Sequence, residues 1–590
     1  MRRWVMRGSG AAVPRAVLEA VGDLGIPHAG LVARLLCNRD VRDGYAAEAF
    51  LRPTLARGLR APLLLKDMAR AATRLADALA AGERIAVYGD YDVDGITGAA
   101  EMTIFLRELG AEPLVHVSHR EREGYGLNAD VLRTLHAAGA RVVVTADCGT
   151  ANQRELTVAA DLGLDVIVCD HHHTPVTRPP ALALLNPLQA GCEFPFKGLS
   201  GAGVVFYLLM GLRAELRARG HERLPDLRPY LDLVALGTVA DVVPLREENR
   251  VLVSHGLKAL DRTLRPGLVA LKETALVESA SVRAIGFRLA PRLNAGGRLA
   301  DAKRAVDMLI TRDETEARAL AAELELCNAE RRLIEEAMVD EAVHMVDADP
   351  ATRDSCSIVV AAEGWHPGVV GIVAARLVER YHRPAIVVAL DGERWRGSGR
   401  SIRGVHLLEA LEDCGTILEA FGGHRQAIGL SLCRGRVGEL AARFEEGVRR
   451  RVRPRDLEPL LEIDGEVSLG AVTPALARTL AWLEPHGPGN PAPTLLASGV
   501  EVDGVKMVGD PARPHLKMRL RSDHQSMPAI GFGLGHLPVR AGQRLDVVFT
   551  PRLSQWQGEE RLELEVIDLR GASGPGMGQP AENVRDFDVP

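Results

Sequence analysis

The sequence predicts an α/β protein: two α/β domains joined by a long helix, followed by a small β-barrel. Short apolar runs alternate with helical segments from about residue 84 to 170, the pattern of a mostly parallel sheet. The same alternation restarts near residue 357. From about residue 459 it changes to short strands separated by turn residues, as in a barrel. A chain of 590 residues is too long for one core and suits about three or four domains.

Residues 1–80 are rich in Ala, Leu and Arg and read as helical, with Pro53 and Pro62 breaking the stretch Tyr45–Leu65 into short pieces. The first α/β domain covers 81–300. Within it Ile85–Tyr88, Leu114–Val117, Arg141–Thr145 and Val166–Cys169 read as strands. Gly98–Leu109, Ala129–Ala138, Asn152–Leu162, Gly198–Arg219 and Pro229–Ala240 read as helices. The connecting segment 301–350 holds one long charged helix over 302–347. The second, smaller domain spans 351–453, with strands Ser357–Ala361 and Ala385–Leu390 around the helix Gly368–Tyr381. Pro454–Leu457 reads as a linker into the barrel segment 454–570. The barrel strands are expected at Leu461–Ile463, Gly499–Met507, Leu516–Leu520, Met527–Gly531, Arg544–Thr550 and Arg561–Asp568. The Gly- and Pro-rich tail 571–590 reads as disordered.

The composition, 47% hydrophobic and 25% charged, is that of a soluble globular protein. A formal net charge of −6 gives no global pull toward nucleic acid, so any basic groove must be local. Aromatics at 4% weaken any reading built on extensive base stacking. There is no apolar run of about 18 residues, so no membrane span is expected. No apolar signal-peptide core follows Arg2, Arg3 and Arg7. The eight cysteines lack CxxC spacing, which argues against a zinc ribbon or a disulfide framework and makes a reducing cytoplasm the default location.

The most informative stretch is Tyr88–Gly95, where Asp90, Asp92 and Asp94 alternate directly after an apolar run. In extended chain alternate residues share a face, so the three carboxylates converge. Burying like charges that close is unfavourable unless a cation compensates, and a hard divalent metal with oxygen ligands is the simplest one. Three more clusters sit where an apolar element ends: Asp147 in Thr145–Gly149, the run Asp170-His171-His172-His173, and Asp241 after Leu231–Val239. Together they supply about six oxygen or nitrogen ligands, enough for two metals with a bridging carboxylate, and Asp/His sets suit Mn2+ or Mg2+. Two such ions about 3.5–4 Å apart can activate water and stabilise the leaving oxygen of a phosphodiester. A calcium loop competes, because Asp90, Asp92, Asp94, Gly95 and Glu101 satisfy EF-hand spacing. Such a loop needs a helix on its entering side, and Arg84–Tyr88 is β-rich. An aspartate after a strand is also often a turn or helix cap; it is the recurrence of the clusters that argues for metal.

These stretches resemble the DHH phosphoesterase superfamily, named for the Asp170-His171-His172 motif, and within it the RecJ-type single-strand DNA exonucleases. The resemblance rests on Tyr88–Gly95, His119–Leu127, Thr145–Thr150, Asp170–His173, Leu236–Leu245 and Gly286–Leu299. It continues through Trp365–Gly371, Gly397–Ile402, Phe421–Gly429 and Pro485–Pro493, so it runs from about residue 50 to 570. His486 stands where the family motif more often carries an aromatic such as Phe. The resemblance implies Asp92, Asp94, Asp147, His171 and Asp241 as metal ligands, with Asp147 bridging, and Asp90 either a ligand or a support behind one. His172 would contact the scissile phosphate or the attacking water, and Asp170 would orient a histidine. Asp232 competes with Asp241 but lies inside a helical run.

An end phosphate needs backbone N–H groups and a fork-shaped cation. Gly397–Ser401 offers both, read as a loop; Gly422–Arg425 reads as a glycine turn beside cations, and Arg292 and Arg298 flank the glycines of Pro291–Leu299. The resemblance places these on a cleft between the two α/β domains. It implies that Arg120, Arg298, Ser398 and Arg400 bind the 5′ phosphate and His424 a neighbouring one. The barrel looks like an OB-fold, whose stacking candidates are Phe532, Phe549 and Trp556, with Phe549 equally suited to the core. Lys506, Lys517, Arg519 and Arg521 form a local basic stripe, although a plain solvated face shows the same alternation. The reading is a cytoplasmic 5′→3′ exonuclease that converts single-stranded DNA to nucleoside 5′-monophosphates in recombination and repair. It would use two divalent ions and act as a monomer, with single-strand-binding protein and a helicase as possible partners on family grounds. The alternatives are a phosphodiesterase for short oligonucleotides or cyclic dinucleotides, which needs no barrel, and a non-catalytic strand-binding scaffold, which needs no complete ligand set.

Overall fold

The computed structural model describes residues 2–8, 11–120, 122–511, 513–522, 525–556 and 559–572. They fall in two compact units. One holds Ala61–Asp241 and Gly256–Pro459; the other holds Arg2–Arg60, Val242–His255 and the chain from Leu460 onward. From residue 573 the tail expected to be disordered lies outside the described residues, as does the Trp556 side chain.

The first unit contains both α/β domains. Its first sheet is all parallel: β1 (Arg84–Gly89), β2 (Leu114–Val117), β3 (Ala140–Ala146), β4 (Asp165–Cys169) and β5 (Ala183–Leu185), in the order β2-β1-β3-β4-β5. Helices cover both faces, which is why the central strands read as continuous apolar runs. The strand order reverses at β1, so the crevice of a doubly wound sheet opens between the C-terminal ends of β1 and β3. Asp90 and Asp147 are the residues that follow those two ends.

The helix after β1 spans Val93–Glu108, not Gly98–Leu109. It is buried from Val93 to Leu106, so it lacks the one-sided apolar stripe by which a surface helix is recognised, and Gly95 and Gly98 mask its first turns. Asp92 starts it as N-cap, accepting hydrogen bonds from the N–H groups of Asp94 (3.0 Å) and Gly95 (3.2 Å). The three aspartates therefore do not share one face of an extended chain. Asp90 ends a strand, Asp92 caps a helix and Asp94 lies in its first turn. A strand-to-helix turn gathers them, not a pleat.

The expected single helix over 302–347 is two, Lys303–Ile310 and Glu314–Ala348. The break comes from Asp313, whose side chain accepts from the Glu316 N–H at 2.7 Å and caps the second helix. The second sheet contains β6 (Ile358–Ala362), β7 (Ala385–Asp391), β8 (Arg394–Arg400), β9 (Leu418–Gly423) and β10 (Ala427–Cys433), in the order β9-β10-β8-β7-β6. Only β6 and β7 run parallel. Gly397–Arg400, expected in a loop, is the end of the interior strand β8. Its glycines serve packing: a Cβ on Gly399 would sit 2.8 Å from Ile428 Cγ1.

In the second unit, helices Arg15–Asp23, Ala29–Cys37 and Gly44–Leu51 share one hydrophobic core with the barrel. The barrel runs through Leu495–Val508, His515–Ser522, Gln525–Gly531, Glu559–Gly571 and Arg544–Trp556, and closes where the last pairs with the first. Leu460–Ile463, expected in the barrel, instead pairs in parallel with Arg3–Met6. Residues 1–80 are thus not one helical segment. They open with a strand, and they divide between the two units near Arg60.

Phe549 is fully buried inside the barrel, so it is core and not a stacking platform. Phe549→Ala should lower the stability of the barrel unit by about 3–5 kcal/mol, the usual cost of deleting a buried aromatic. Chemical denaturation followed by barrel tryptophan or peptide signals measures this, and an unchanged midpoint would contradict the core assignment.

Candidate active site

Four elements converge on the end of the first sheet. Asp90 is held by the Ser118 hydroxyl, which donates to its Oδ1 at 2.9 Å. Asp94 accepts from the N–H groups of Gly201 (2.5 Å) and Ala202 (2.9 Å), the first residues of the helix Gly201–Ala218, and that N-terminus favours an anion. Asp147 follows β3 with a left-handed φ of +65°, an uncommon conformation for a residue with a side chain. Asp241 caps the C-terminus of the helix Leu231–Ala240. Two helices approach so closely that glycine is required: a Cβ on Gly201 would lie 2.6 Å from the Asp147 Cβ, and one on Gly237 2.6 Å from Asp94 Oδ1.

His171 reaches into this group. Its Nε2 lies 3.1 Å from Asp147 Oδ1, 3.4 Å from Asp241 Oδ2 and 3.9 Å from Asp94 Oδ2. Asp147 Oδ1, His171 Nε2 and Asp241 Oδ2 are buried without a hydrogen-bond partner among the described residues. Buried polar atoms left unpaired are costly, and the 3.1 and 3.4 Å from His171 Nε2 to the two carboxylate oxygens are the spacings of neighbouring ligands around an ion with bonds of about 2.1 Å. Asp90, Asp92 and Asp147 form a second group whose ligand atoms lie within 4.8 Å of one another. Asp147 belongs to both sides, as a bridge between two ions would. The residues present fit a pair of hard divalent metals, which when bound would acidify a water and stabilise a leaving oxygen.

Electrostatics point the same way. Burial, then the neighbouring Asp92, pushes the Asp94 carboxyl up to about 7. Burial and the surrounding carboxylates also raise Asp90, Asp147 and Asp241. Burial lowers His171 to about 4, with His172 adding to the effect, so it is a neutral imidazole suited to a metal. Asp170 behaves oppositely. Burial would raise it, but the His172 hydrogen bond and charge, with the Thr150 N–H, outweigh that and hold it below the usual carboxylate range. It accepts from the backbone N–H groups of Thr150, His171 and His172 and, at 2.7 Å, from His172 Nδ1. Asp170 therefore fixes the His172 ring and leaves Nε2 for a substrate. Asp232 is not at the site; its carboxylate is taken by Arg265 and Thr263.

Tyr125 was not singled out from the sequence, yet its hydroxyl lies 2.9 Å from His172 Nδ1 and donates to the Asp147 carbonyl at 3.1 Å. The only sequence signal was its place in the stretch His119–Leu127. The His424 ring stacks on His172, centroids 5.8 Å apart, so the β9–β10 turn of the second domain reaches the histidine run of the first.

Family models match three stretches: the DHH family N-terminal domain over residues 84–238, the DHHA1 domain over 355–450 and the RecJ OB domain over 463–568. The single-stranded-DNA-specific exonuclease RecJ of Dickeya dadantii is 41% identical over 557 residues, covering 92% of this chain and 94% of the relative. The chain belongs to the RecJ family. The crystal structure of RecJ in complex with Mn2+ from Thermus thermophilus superimposes with a TM-score of 0.82 at 32% identity, over 97% of this chain and 79% of that one. The complex of the same relative with Mg2+ gives 0.76 at 30% identity, over 97% and 78%. Two α/β domains and a C-terminal OB barrel are thus the RecJ architecture.

Beside the carboxylates this RecJ-family chain gathers cations. Arg298, in the last turn of the helix Ala290–Leu299, is half-buried and donates to the Gly368 carbonyl at 3.1 Å. Burial, then Arg120, Arg400 and Arg331, lowers it to about 9. Arg400 donates to Ser398 Oγ (3.0 Å) and the Gly399 carbonyl (2.8 Å), and burial and Arg120 lower it too. Arg120 lies over the Tyr91 ring. No carboxylate pairs with Arg298, Arg400 or Arg120 among the described residues, so the cluster is complementary to an anion. At Gly371, at the start of the helix Val370–Tyr381, a Cβ would crowd Ser398 Oγ at 3.1 Å and the Arg400 guanidinium at 3.2 Å. Arg292 is elsewhere engaged, by Glu325.

On the barrel, Lys517, Arg519 and Arg521 are exposed and alternate with buried Leu516, Met518 and Leu520. Lys506 stands opposite Lys517 on the neighbouring strand. Arg521 is neutralised by Glu501 at 2.7 Å, with Asp503 at 3.8 Å. Phe532 is half exposed and meets His515 edge to face.

Raised carboxylate pKa values bind protons that a metal must displace. Mn2+ affinity should therefore rise with pH through the Asp94 value of about 7, with proton release on binding from the raised Asp94, Asp147 and Asp241. Calorimetry in buffers of differing ionisation heat reads both effects, and a flat pH profile would contradict the coupling.

Proposed function

We propose that this chain is a 5′→3′ exonuclease that hydrolyses single-stranded DNA to nucleoside 5′-monophosphates with two Mn2+ or Mg2+ ions. The observation that carries this reading is the pairing of two unsatisfied clusters in one unit: the orphaned ligand atoms of Asp147, His171 and Asp241, and the carboxylate-free arginines Arg120, Arg298 and Arg400. Tyr91 joins them, lying between Asp90 and Asp92 in sequence and under Arg120 in space.

In this reading Asp92, Asp94, Asp147, His171 and Asp241 hold the ions, and Asp90 supports or joins them. His172, oriented by Asp170, faces the scissile phosphate, and His424 meets the next one. Arg120, Arg298, Ser398 and Arg400 grip the terminal phosphate. A cut that releases a nucleoside 5′-monophosphate leaves a new 5′-phosphate on the strand, so the cradle is re-engaged after each turnover. The exposed Lys506, Lys517 and Arg519 contribute to holding a long strand, and Arg521, being paired, contributes least. No helix among the described residues is long and apolar enough to cross a membrane. A DNA substrate would place the enzyme in the cytoplasm. A monomer would suffice, with a helicase to free the strand and single-strand-binding protein to protect it.

The test is digestion of end-labelled single strands. Asp147→Ala should lose cleavage by more than the roughly 10–100-fold that removing a support behind a metal ligand costs, while still binding DNA. Near-normal turnover by that variant would sink the site assignment. Arg400→Ala should weaken use of 5′-phosphorylated strands about 10–100-fold and abolish their advantage over 5′-hydroxyl strands, as loss of a charge-assisted contact predicts. An undiminished preference would remove the arginines from end recognition.

A further inference from the structure

A cavity at the surface of the first unit lies away from the metal cluster. It encloses about 790 Å³, a volume within the range of small-ligand sites. It sits at the far ends of two helices that deliver metal ligands. Ile104, Arg107 and Glu108 close the helix whose other end carries Asp92 and Asp94. Tyr230 and Asp232 open the helix whose other end carries Asp241. At 1.5 Å rise per residue, these helices place the cavity on the order of 15–25 Å from the ligands.

Its charges are unevenly matched. The three carboxylates are all engaged: Asp232 with Arg265 (3.2 Å) and Thr263 (2.8 Å), Glu108 with the Tyr230 hydroxyl (2.8 Å), and Asp226 with Arg228 (2.7 Å). Arg262 and Arg312 line the cavity with no ion pair among the described residues, and Arg107 reaches the largely exposed Glu112 only at 3.7 Å. Leu264 stands 92% exposed at the edge, an unusual cost for a leucine that covers nothing. Between cavity and metal cluster lies Glu101, fully buried with neither oxygen hydrogen-bonded among the described residues and within electrostatic reach of Asp94 on one side and Arg265 and Asp232 on the other.

Unpaired guanidinium groups beside apolar surface suit a ligand with an anionic end and an apolar body. We propose that this cavity is a second, regulatory site for a small organic phosphate of nucleotide size, the product class of the reaction, and that its occupation lowers turnover through the two shared helices. Naming the ligand as product rests on the exonuclease reading; the preference for a phosphate does not.

Calorimetry of the full metal-free chain tests binding, with dAMP, deoxyadenosine and inorganic phosphate as probes. Wild type should bind two equivalents of dAMP. Arg262→Glu/Arg312→Glu should lose one, weakened more than tenfold, and Arg400→Ala should lose the other. Deoxyadenosine should bind at neither, and inorganic phosphate should bind more weakly than dAMP. With Mn2+ present, inhibition of strand digestion by dAMP should contain a non-competitive part in wild type and be purely competitive in Arg262→Glu/Arg312→Glu, whose uninhibited rate is unchanged. Both arginines are exposed, so the substitutions spare the core, and the neutral pair Arg262→Gln/Arg312→Gln should shift the same way by less. Identical isotherms for wild type and the glutamate pair would overturn the site, and so would inorganic phosphate binding there as tightly as dAMP. Purely competitive inhibition in wild type would overturn its regulatory role. Two-site binding by a chain that cuts no DNA would instead count against the exonuclease reading alone.

Discussion

Repulsion among buried carboxylates is the constraint around which the first unit is built. Asp90, Asp94 and Asp147 are almost wholly out of water, and Asp92 and Asp241 are only partly exposed. Without a cation such a group relieves itself by taking up protons, as the rise of Asp94 to about 7 reflects. The fold does not reduce this tension by supplying lysines or arginines. It supplies backbone donors: the N-terminal N–H groups of the helix Gly201–Ala218 on Asp94, and the capped first turn on Asp92. Those hold the carboxylates in place without neutralising them, and the remaining lone pairs stay directed at a common space. Gly201 and Gly237 exist where they do because the helices must come within contact of Asp147 and Asp94 to exclude water.

A mirror-image arrangement lies next to it. Arg298 and Arg400 are desolvated beside one another and beside Arg120, which lowers the affinity of each for its proton. A protein concerned only with stability would let these arginines pair with the nearby aspartates. Instead they donate to backbone and hydroxyl oxygens, Arg298 to the Gly368 carbonyl and Arg400 to Ser398 Oγ and the Gly399 carbonyl. Opposite charges thus stay unpaired, and in the proposed function each cluster takes a ligand of the other sign: metal for one, phosphate for the other. In the proposed function a strand end held by the arginines passes its next phosphodiester toward the carboxylates, and this adjacency makes cleavage end-directed.

Much of this was legible in the sequence because chemistry at the end of a parallel strand leaves a local trace. Asp90, Asp147 and the Asp170–His172 run each follow an apolar β-rich segment, and the structure brings them together with Asp241. What was misread had a buried or non-local cause. The helix from Val93 is buried all round, Asp94 and Glu101 included, so periodicity could not show its start. The glycines of Gly397–Arg400 suggested a loop, but they are needed for side chains on the adjacent strands to close over β8. Leu460–Ile463 pairs with a strand more than 450 residues earlier, a contact no local pattern encodes. Tyr125 carries no charge and sits in no cluster of ligand types, so only its position against His172 reveals it.

In the proposed function the barrel lets a chain with a net charge of −6 hold a polyanion. Its basic residues are few but placed as like-charge neighbours. Lys506 faces Lys517 across the strands, an arrangement that is unfavourable until an anion lies over it. Arg521 would extend the stripe, but Glu501 and Asp503 cancel it and set the stripe's limit. Binding through so few phosphate contacts gives a shallow salt dependence and weak affinity for duplex or internal strand, since each contact releases about one counterion. In the proposed function tight engagement depends on what an internal stretch of DNA lacks, a terminal phosphate for the half-buried arginines. The acidic total charge is therefore not at odds with a nucleic-acid substrate. It suppresses non-specific adhesion, and the proposed function leaves selection of the strand end to the cluster of Arg120, Arg298 and Arg400.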